Sequence, residues 1–192
     1  MISYNLEKRI EHWSDGWTAK NQGDSPPAPF INYVQHYVGA NVLEIGPGEG
    51  RAHETVRRVV SGYAIADISA DVLKAPVWTN IKDKVLIRTY EEDFGKQFDV
   101  VHFWYVLHHI PRCEVWDFFL FAIRHLKTNG HLMFNTPYLG FAGGAYSDNG
   151  VLTTRYSPGE ILNLLELHLD CLVLDGTNIG KSNGHIYVGR KR

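Results

Sequence analysis

The feature that most constrains this chain is a short apolar run that stops on alternating glycines, Asn41-Val-Leu-Glu-Ile-Gly46-Pro-Gly48-Glu-Gly50-Arg51. Such a run, too short for a helix of its own and bounded by a turn, reads as a buried strand. The glycines let the backbone bend sharply and leave its peptide groups open to a ligand. Strand-like and helix-like patterns then alternate. We read helices over 51–60, 70–74 and 114–126, and strands over 41–46, 63–67, 84–88, 98–103 and 131–135. Asn129-Gly130 marks a helix end. Ser157 followed by Glu160 reads as a capping box that opens a helix with Ile161, Leu164, Leu165 and His168 on one stripe. Residues 171–174 and 185–188 close the chain as strands. This alternation predicts an α/β fold with a parallel sheet covered by helices on both faces.

The first part of the chain follows another rhythm. Leu6, Ile10, Trp13 and Trp17 recur at helical spacing, a polar stretch follows over 18–29, and Pro26 can open a second helix carrying Phe30, Tyr33, Val34 and Tyr37. We therefore expect a helical lid or extension over 1–39 attached to a main domain over 40–192, a single domain overall. The aperiodic segment 139–156, with Gly140, Gly143, Gly144 and Gly150, is long for a connection and has the length of a binding loop or lid.

Charge narrows the partners. Lys plus Arg total 19 and Asp plus Glu total 21, a formal charge of −2, and the basic cluster Arg190-Lys191-Arg192 is a chain end. That balance argues against nucleic acid and against an anionic membrane surface. No apolar run approaches the roughly 20 residues of a membrane helix, and Met1-Ile-Ser-Tyr-Asn-Leu-Glu-Lys8 has no signal-peptide pattern. Cys113 and Cys171 have no metal-type spacing and suit packing roles in a reducing, cytoplasmic compartment. No His, Asp, Glu or Cys pattern points to a metal, and His53, His125 and His131 are expected on solvated surfaces. Aromatic residues make up 12% of the chain, with 5 Trp, 10 Tyr and 9 Phe.

The glycine turn differs from two phosphate-binding signatures. A dinucleotide turn reads Gly-x-Gly-x-x-Gly, and here the last position is Arg51. No Gly-x-x-x-x-Gly-Lys-Ser/Thr is present. The spacing Glu-x-Gly-x-Gly-x-Gly suits a ligand without a pyrophosphate. Asp67, 21 residues after Gly46 at the end of the second strand, can accept hydrogen bonds from two ribose hydroxyls. Taken alone, the same residues would serve as an ordinary strand–helix turn and a helix N-cap.

Four motifs in order resemble class I S-adenosylmethionine-dependent methyltransferases. Val42-Leu-Glu-Ile-Gly-Pro-Gly-Glu-Gly-Arg51 is similar to their first motif and Ala64-Ile-Ala-Asp67-Ile-Ser69 to their second. Phe98-Asp-Val-Val-His-Phe-Trp-Tyr-Val-Leu-His-His-Ile110 resembles the stretch around their fourth strand, and Leu126-Lys-Thr-Asn-Gly-His-Leu-Met-Phe-Asn-Thr-Pro137 their fifth. The likeness runs through residues 40–136 and more loosely through 154–190. It implies a doubly wound, Rossmann-like sheet of seven strands, mostly parallel, with the last strand antiparallel. It implies S-adenosyl-L-methionine as cofactor, S-adenosyl-L-homocysteine as product, and no metal. Glu44 would sit near the amino group of the methionine portion, with the backbone of Gly46, Pro47 and Gly48 beneath the cofactor. Asp67 would hold the ribose and Ile68 would lie against the adenine. Where many members carry an acid near the adenine, this chain has Thr89-Tyr90, with Glu91 and Glu92 beyond, and backbone contact from Tyr90 is the preferred reading. Phe103 and Trp104 would close over the methionine end.

Methyl transfer is a displacement at carbon in which the protein supplies alignment, exclusion of water and, for some acceptors, a base. His108 or His109 could take a proton near neutral pH or could instead buttress a helix start, and Tyr105 is a comparable candidate for orienting the acceptor. Asn135 could face the acceptor or anchor a loop. Trp13, Trp17, Tyr138 and Tyr146 are expected to wall the acceptor crevice. We expect a small-molecule acceptor, oxygen ahead of nitrogen, and a monomer or homodimer. A protein or peptide acceptor and a non-catalytic cofactor-binding protein or complex subunit are the alternatives.

Overall fold

The computed structural model describes residues 33–137, 145–146, 152–179 and 182–192. After a 3-10 turn at Val34–Tyr37 the chain alternates β1 (Asn41–Ile45), α1 (Arg51–Val56), β2 (Gly62–Asp67), α2 (Ala70–Lys74), β3 (Asp83–Leu86) and β4 (Phe98–Phe103). There follow a 3-10 turn at Leu107–His109, α3 (Val115–Arg124), β5 (Leu126–Pro137), the short strands β6 (Ala145–Tyr146) and β7 (Leu152–Thr153), α4 (Pro158–Leu165), β8 (Leu169–Ile179) and β9 (Ser182–Lys191). Seven strands form one sheet in the order β3-β2-β1-β4-β5-β9-β8. β1 pairs in parallel with β2 and β4, β2 with β3, and β4 with β5, whereas β9 runs antiparallel between β5 and β8. The strand order reverses between β1 and β4, so the crevice beyond their carboxyl ends is where a ligand of such a sheet binds.

Alternation along the strands sorts side chains onto two faces. One face packs Leu43, Ile45, Val101, Phe103 and Phe134 against α3 and α4 through Phe118, Phe119, Ile161 and Leu165. Phe134 stacks between Phe103 and Tyr187, with ring centroids 4.8 and 4.7 Å away. The other face packs Val42, Val100 and Met133 against Tyr37 and the α1 residues Ala52 and Val56. α1 and α3 are shorter than the expected 51–60 and 114–126, and β5, β8 and β9 are longer than expected. The capping box of α4 forms as read: Ser157 Oγ accepts from Glu160 N, and Glu160 Oε2 from Ser157 N. Among the described residues no helix is long and apolar enough to cross a membrane.

Candidate active site

The glycine turn after β1 is held from three sides. Gly46, Gly48 and Gly50 all adopt positive φ, at 68°, 52° and 85°. Gly46 N donates to Ala66 O at 2.8 Å, tying the turn to the end of β2. The fully buried Trp78 donates its indole N–H to Gly48 O at 3.1 Å, and a Cβ on Gly50 would come within 3.1 Å of its ring. From the far side Val106, just past β4, presses on Gly46.

Two buried carboxyl groups flank this turn. Glu44 sits in β1, and Asp67 ends β2. Asp67 Oδ1 accepts from Ser69 N at 2.8 Å, while Ser69 Oγ caps α2 through Val72 N. Glu44 Oε2 accepts from Tyr63 Oη at 2.7 Å. Burial pushes the Glu44 carboxyl up to about 8, the Tyr63 hydrogen bond opposing the rise and the Asp67 charge adding to it. Burial likewise pushes Asp67 up to about 7, against the backbone N–H groups of Ser69 and Ile68. Among the described residues neither acid forms an ion pair with a Lys or Arg; Glu44 Oε1 lies 3.9 Å from the imidazole Nε2 of His102. A ligand carrying hydroxyl donors and a positive charge supplies what this pair of acids lacks.

The chain beyond β4 carries the other candidates. Tyr105 holds a left-handed φ of 57°, rare outside glycine. Its N–H donates to Asn135 Oδ1 at 2.7 Å, and Asn135 is fully buried in β5 with its Nδ2 unsatisfied. The rings of His108 and His109 lie 3.8 Å apart, tilted by 46°, in the 3-10 turn. The His108 carbonyl accepts from Thr154 N at 2.6 Å, and its Nδ1 is buried without a partner. Burial, with His109 adding to it, holds the His108 imidazole well below its ordinary basicity.

The structure thus gathers Glu44, Gly46, Pro47, Gly48, Asp67, Trp104, Tyr105 and Asn135 around the carboxyl ends of β1, β2, β4 and β5. Ile68 and Tyr90 pack at the edge of the α3-side core, Tyr90 edge-on to Phe118 at 5.7 Å. Thr89 and Glu91 share a turn in which Glu91 N donates to Thr89 Oγ1. Phe103 differs from its expected place: its ring is fully buried on the face opposite Glu44, stacked on Phe134, so only its main chain can border the crevice. His125 is not solvated either. It ends α3, fully buried, donating to Phe121 O and accepting from Phe94 N. Cys113 is exposed rather than packed, whereas Cys171 packs against the core. Trp13, Trp17 and Tyr138 lie outside the described residues, and Tyr146 lies in β6.

Sequence reasoning missed Tyr63, His102 and Tyr37. His102 is fully buried on the Glu44 face, with its Nε2 3.0 Å from Tyr63 Oη and its Nδ1 2.8 Å from Tyr37 Oη. The available signal was a histidine inside the apolar run 98–103, at the parity that shares a face with Glu44 once β1 and β4 pair.

The comparisons agree with this geometry. A family model described as a methyltransferase domain matches residues 21–165. No curated protein matches the chain in sequence. Among solved structures it is similar to the N-methyltransferase NodS from Bradyrhizobium japonicum WM9, in complex with S-adenosyl-L-homocysteine, at 14% identity and TM-score 0.66 over 97% of this chain and 98% of that one. It is similar to the Burkholderia thailandensis 1,6-didemethyltoxoflavin-N1-methyltransferase at 17% identity and TM-score 0.70, over 97% of this chain and 86% of that one. It is also similar to the magnesium protoporphyrin IX methyltransferase of Synechocystis PCC 6803 at 11% identity and TM-score 0.67, over 98% and 97%. With a family model covering most of its length and the seven-stranded sheet to match, the chain belongs to the class I S-adenosylmethionine-dependent methyltransferases.

Proposed function

We propose that this methyltransferase binds S-adenosyl-L-methionine at the glycine turn and methylates a small molecule. The observation that carries the reading is the pair of buried acids without a described Lys or Arg partner, Glu44 and Asp67, on either side of a positive-φ glycine turn. Asp67 holds the ribose hydroxyls and Glu44 the ammonium of the methionine portion. The main chain of Gly46, Pro47 and Gly48 lies beneath the ligand. Ile68 and Tyr90 flank the adenine, with Thr89 and Glu91 at its edge, and Trp104 borders the methionine end. When bound, the cofactor supplies a methyl group activated by its sulfonium sulfur.

The protein's part is alignment and exclusion of water. Tyr105, fixed by Asn135, and the His108–His109 pair border the acceptor. A residue of low basicity accepts a hydrogen bond better than it removes a proton from an alcohol. The depressed His108 therefore turns the preference from an oxygen acceptor towards a nitrogen that arrives already neutral. The test is release of S-adenosyl-L-homocysteine across a panel of small amines, N-heterocycles and phenols. Turnover with at least one small molecule is expected, nitrogen compounds ahead of phenols. Turnover confined to peptides would contradict the small-molecule reading.

A further inference from the structure

A directed chain of hydrogen bonds runs through the apolar cluster under the glycine turn. Parallel register places Glu44 of β1 beside His102 of β4, and Tyr63 of β2 beside Val42, one step diagonally from Glu44. Trp104 Nε1 donates to His102 Nδ1 at 3.0 Å, and an indole N–H can only donate. Nδ1 therefore accepts and the imidazole proton sits on Nε2, 3.0 Å from Tyr63 Oη. Tyr63, receiving that proton, turns its own towards Glu44 Oε2 at 2.7 Å. His102 and Glu44 are 0% and 3% exposed, while Tyr63 and Trp104 are half-buried, so the inner links of this order lie away from water.

Polar groups buried this deeply cost stability unless fully satisfied, and apolar residues of similar shape would pack there at less cost. The chain ends on one oxygen of one carboxyl group. Oε1 of Glu44 lies 3.9 Å from His102 Nε2, beyond hydrogen-bonding distance. We infer that Tyr63 and His102 are positioning residues that pin Glu44 through Oε2 and thereby present its other oxygen to the ammonium of the cofactor's methionine portion. The inference rests on the role given to Glu44 above.

The test compares two ligands that share the adenosine: S-adenosyl-L-homocysteine, which carries the ammonium, and 5′-methylthioadenosine, which does not. Tyr63→Phe keeps the ring and deletes the hydroxyl. It is expected to weaken S-adenosyl-L-homocysteine about tenfold, the scale of one charge-assisted hydrogen bond, and to leave 5′-methylthioadenosine within about twofold. His102→Leu is expected to show the same split, and His102→Gln, which can still accept and donate, to recover part of the loss. Unchanged S-adenosyl-L-homocysteine affinity in Tyr63→Phe, or equal weakening of both ligands, would overturn the inference. Wild-type protein that binds 5′-methylthioadenosine and S-adenosyl-L-homocysteine equally well would overturn the role of Glu44 itself.

Discussion

Val106 packs directly onto the turn at Gly46: a Cβ built on Gly46 would lie 2.5 Å from Val106 Cγ2. This contact joins the segment after β4, which carries Tyr105, His108 and His109, to the turn after β1. Gly46 is thus constrained twice, by its φ of 68° and by its neighbour. Gly46→Ala is expected to destabilise the protein by about 1–3 kcal/mol and to weaken cofactor binding by more than about tenfold. Adding Val106→Ala removes the clash but leaves the strained φ, so thermal melting should recover only in part. Full recovery in the double variant would show that sterics alone require the glycine.

Asp67 is expected to act on the nucleoside and not on the methionine portion. Asp67→Ala should weaken S-adenosyl-L-homocysteine and 5′-methylthioadenosine alike, each by about tenfold or more. Titration calorimetry with both ligands distinguishes this from the split expected for Tyr63→Phe.

Asn135 holds the left-handed backbone of Tyr105, so its loss should reach turnover before cofactor affinity. Asn135→Ala is expected to lower kcat by roughly tenfold, with S-adenosyl-L-homocysteine affinity unchanged. Steady-state kinetics and calorimetry on the same preparation would show it, and a parallel loss in both would place Asn135 in the cofactor site.

The shifted titratable groups are expected to give stability a maximum at about pH 6.5. Glu44 and Asp67, raised to about 8 and about 7, bind more protons folded than unfolded, so they cost stability as pH rises through that range. His53, His102, His108, His125 and His131 are all lowered, so the unfolded chain binds more protons below about 6.5 and stability falls on the acid side. The ligand-free protein is expected to melt at least about 4 °C lower at pH 8.5 than at pH 6.5. Glu44→Gln, which no longer titrates, should flatten that alkaline limb, and an undiminished fall would exclude Glu44 as its source.

What was legible in the sequence was local. The glycine turn, Asp67 and the Ser157–Glu160 capping box each announce themselves within a few residues, and the strand–helix alternation gave the sheet. Long-range register was not legible. His102 reads as one more residue of an apolar strand until β1 and β2 bring Glu44 and Tyr63 beside it. Asn129-Gly130 looked like a helix end, yet the helix stops at Arg124 and Asn129, at φ 64°, sits in a bulge of β5 between the pairs Phe98–Leu126 and Val100–His131. β8 and β9 were expected as short strands because their apolar runs are short, while backbone pairing continues to Ile179 and Ser182. The family resemblance implies Phe103 at the methionine end of the crevice, but strand parity turns its ring into the core.

The central claim is that Glu44, Asp67 and the glycine turn form an S-adenosylmethionine site. Calorimetric titration of wild-type and Asp67→Ala protein with S-adenosyl-L-methionine and with NAD tests it most directly. The expected result is saturable 1:1 binding of S-adenosyl-L-methionine that weakens by about tenfold or more in Asp67→Ala, with no comparable NAD binding. Tighter binding of NAD, or undiminished S-adenosyl-L-methionine affinity in Asp67→Ala, would contradict it.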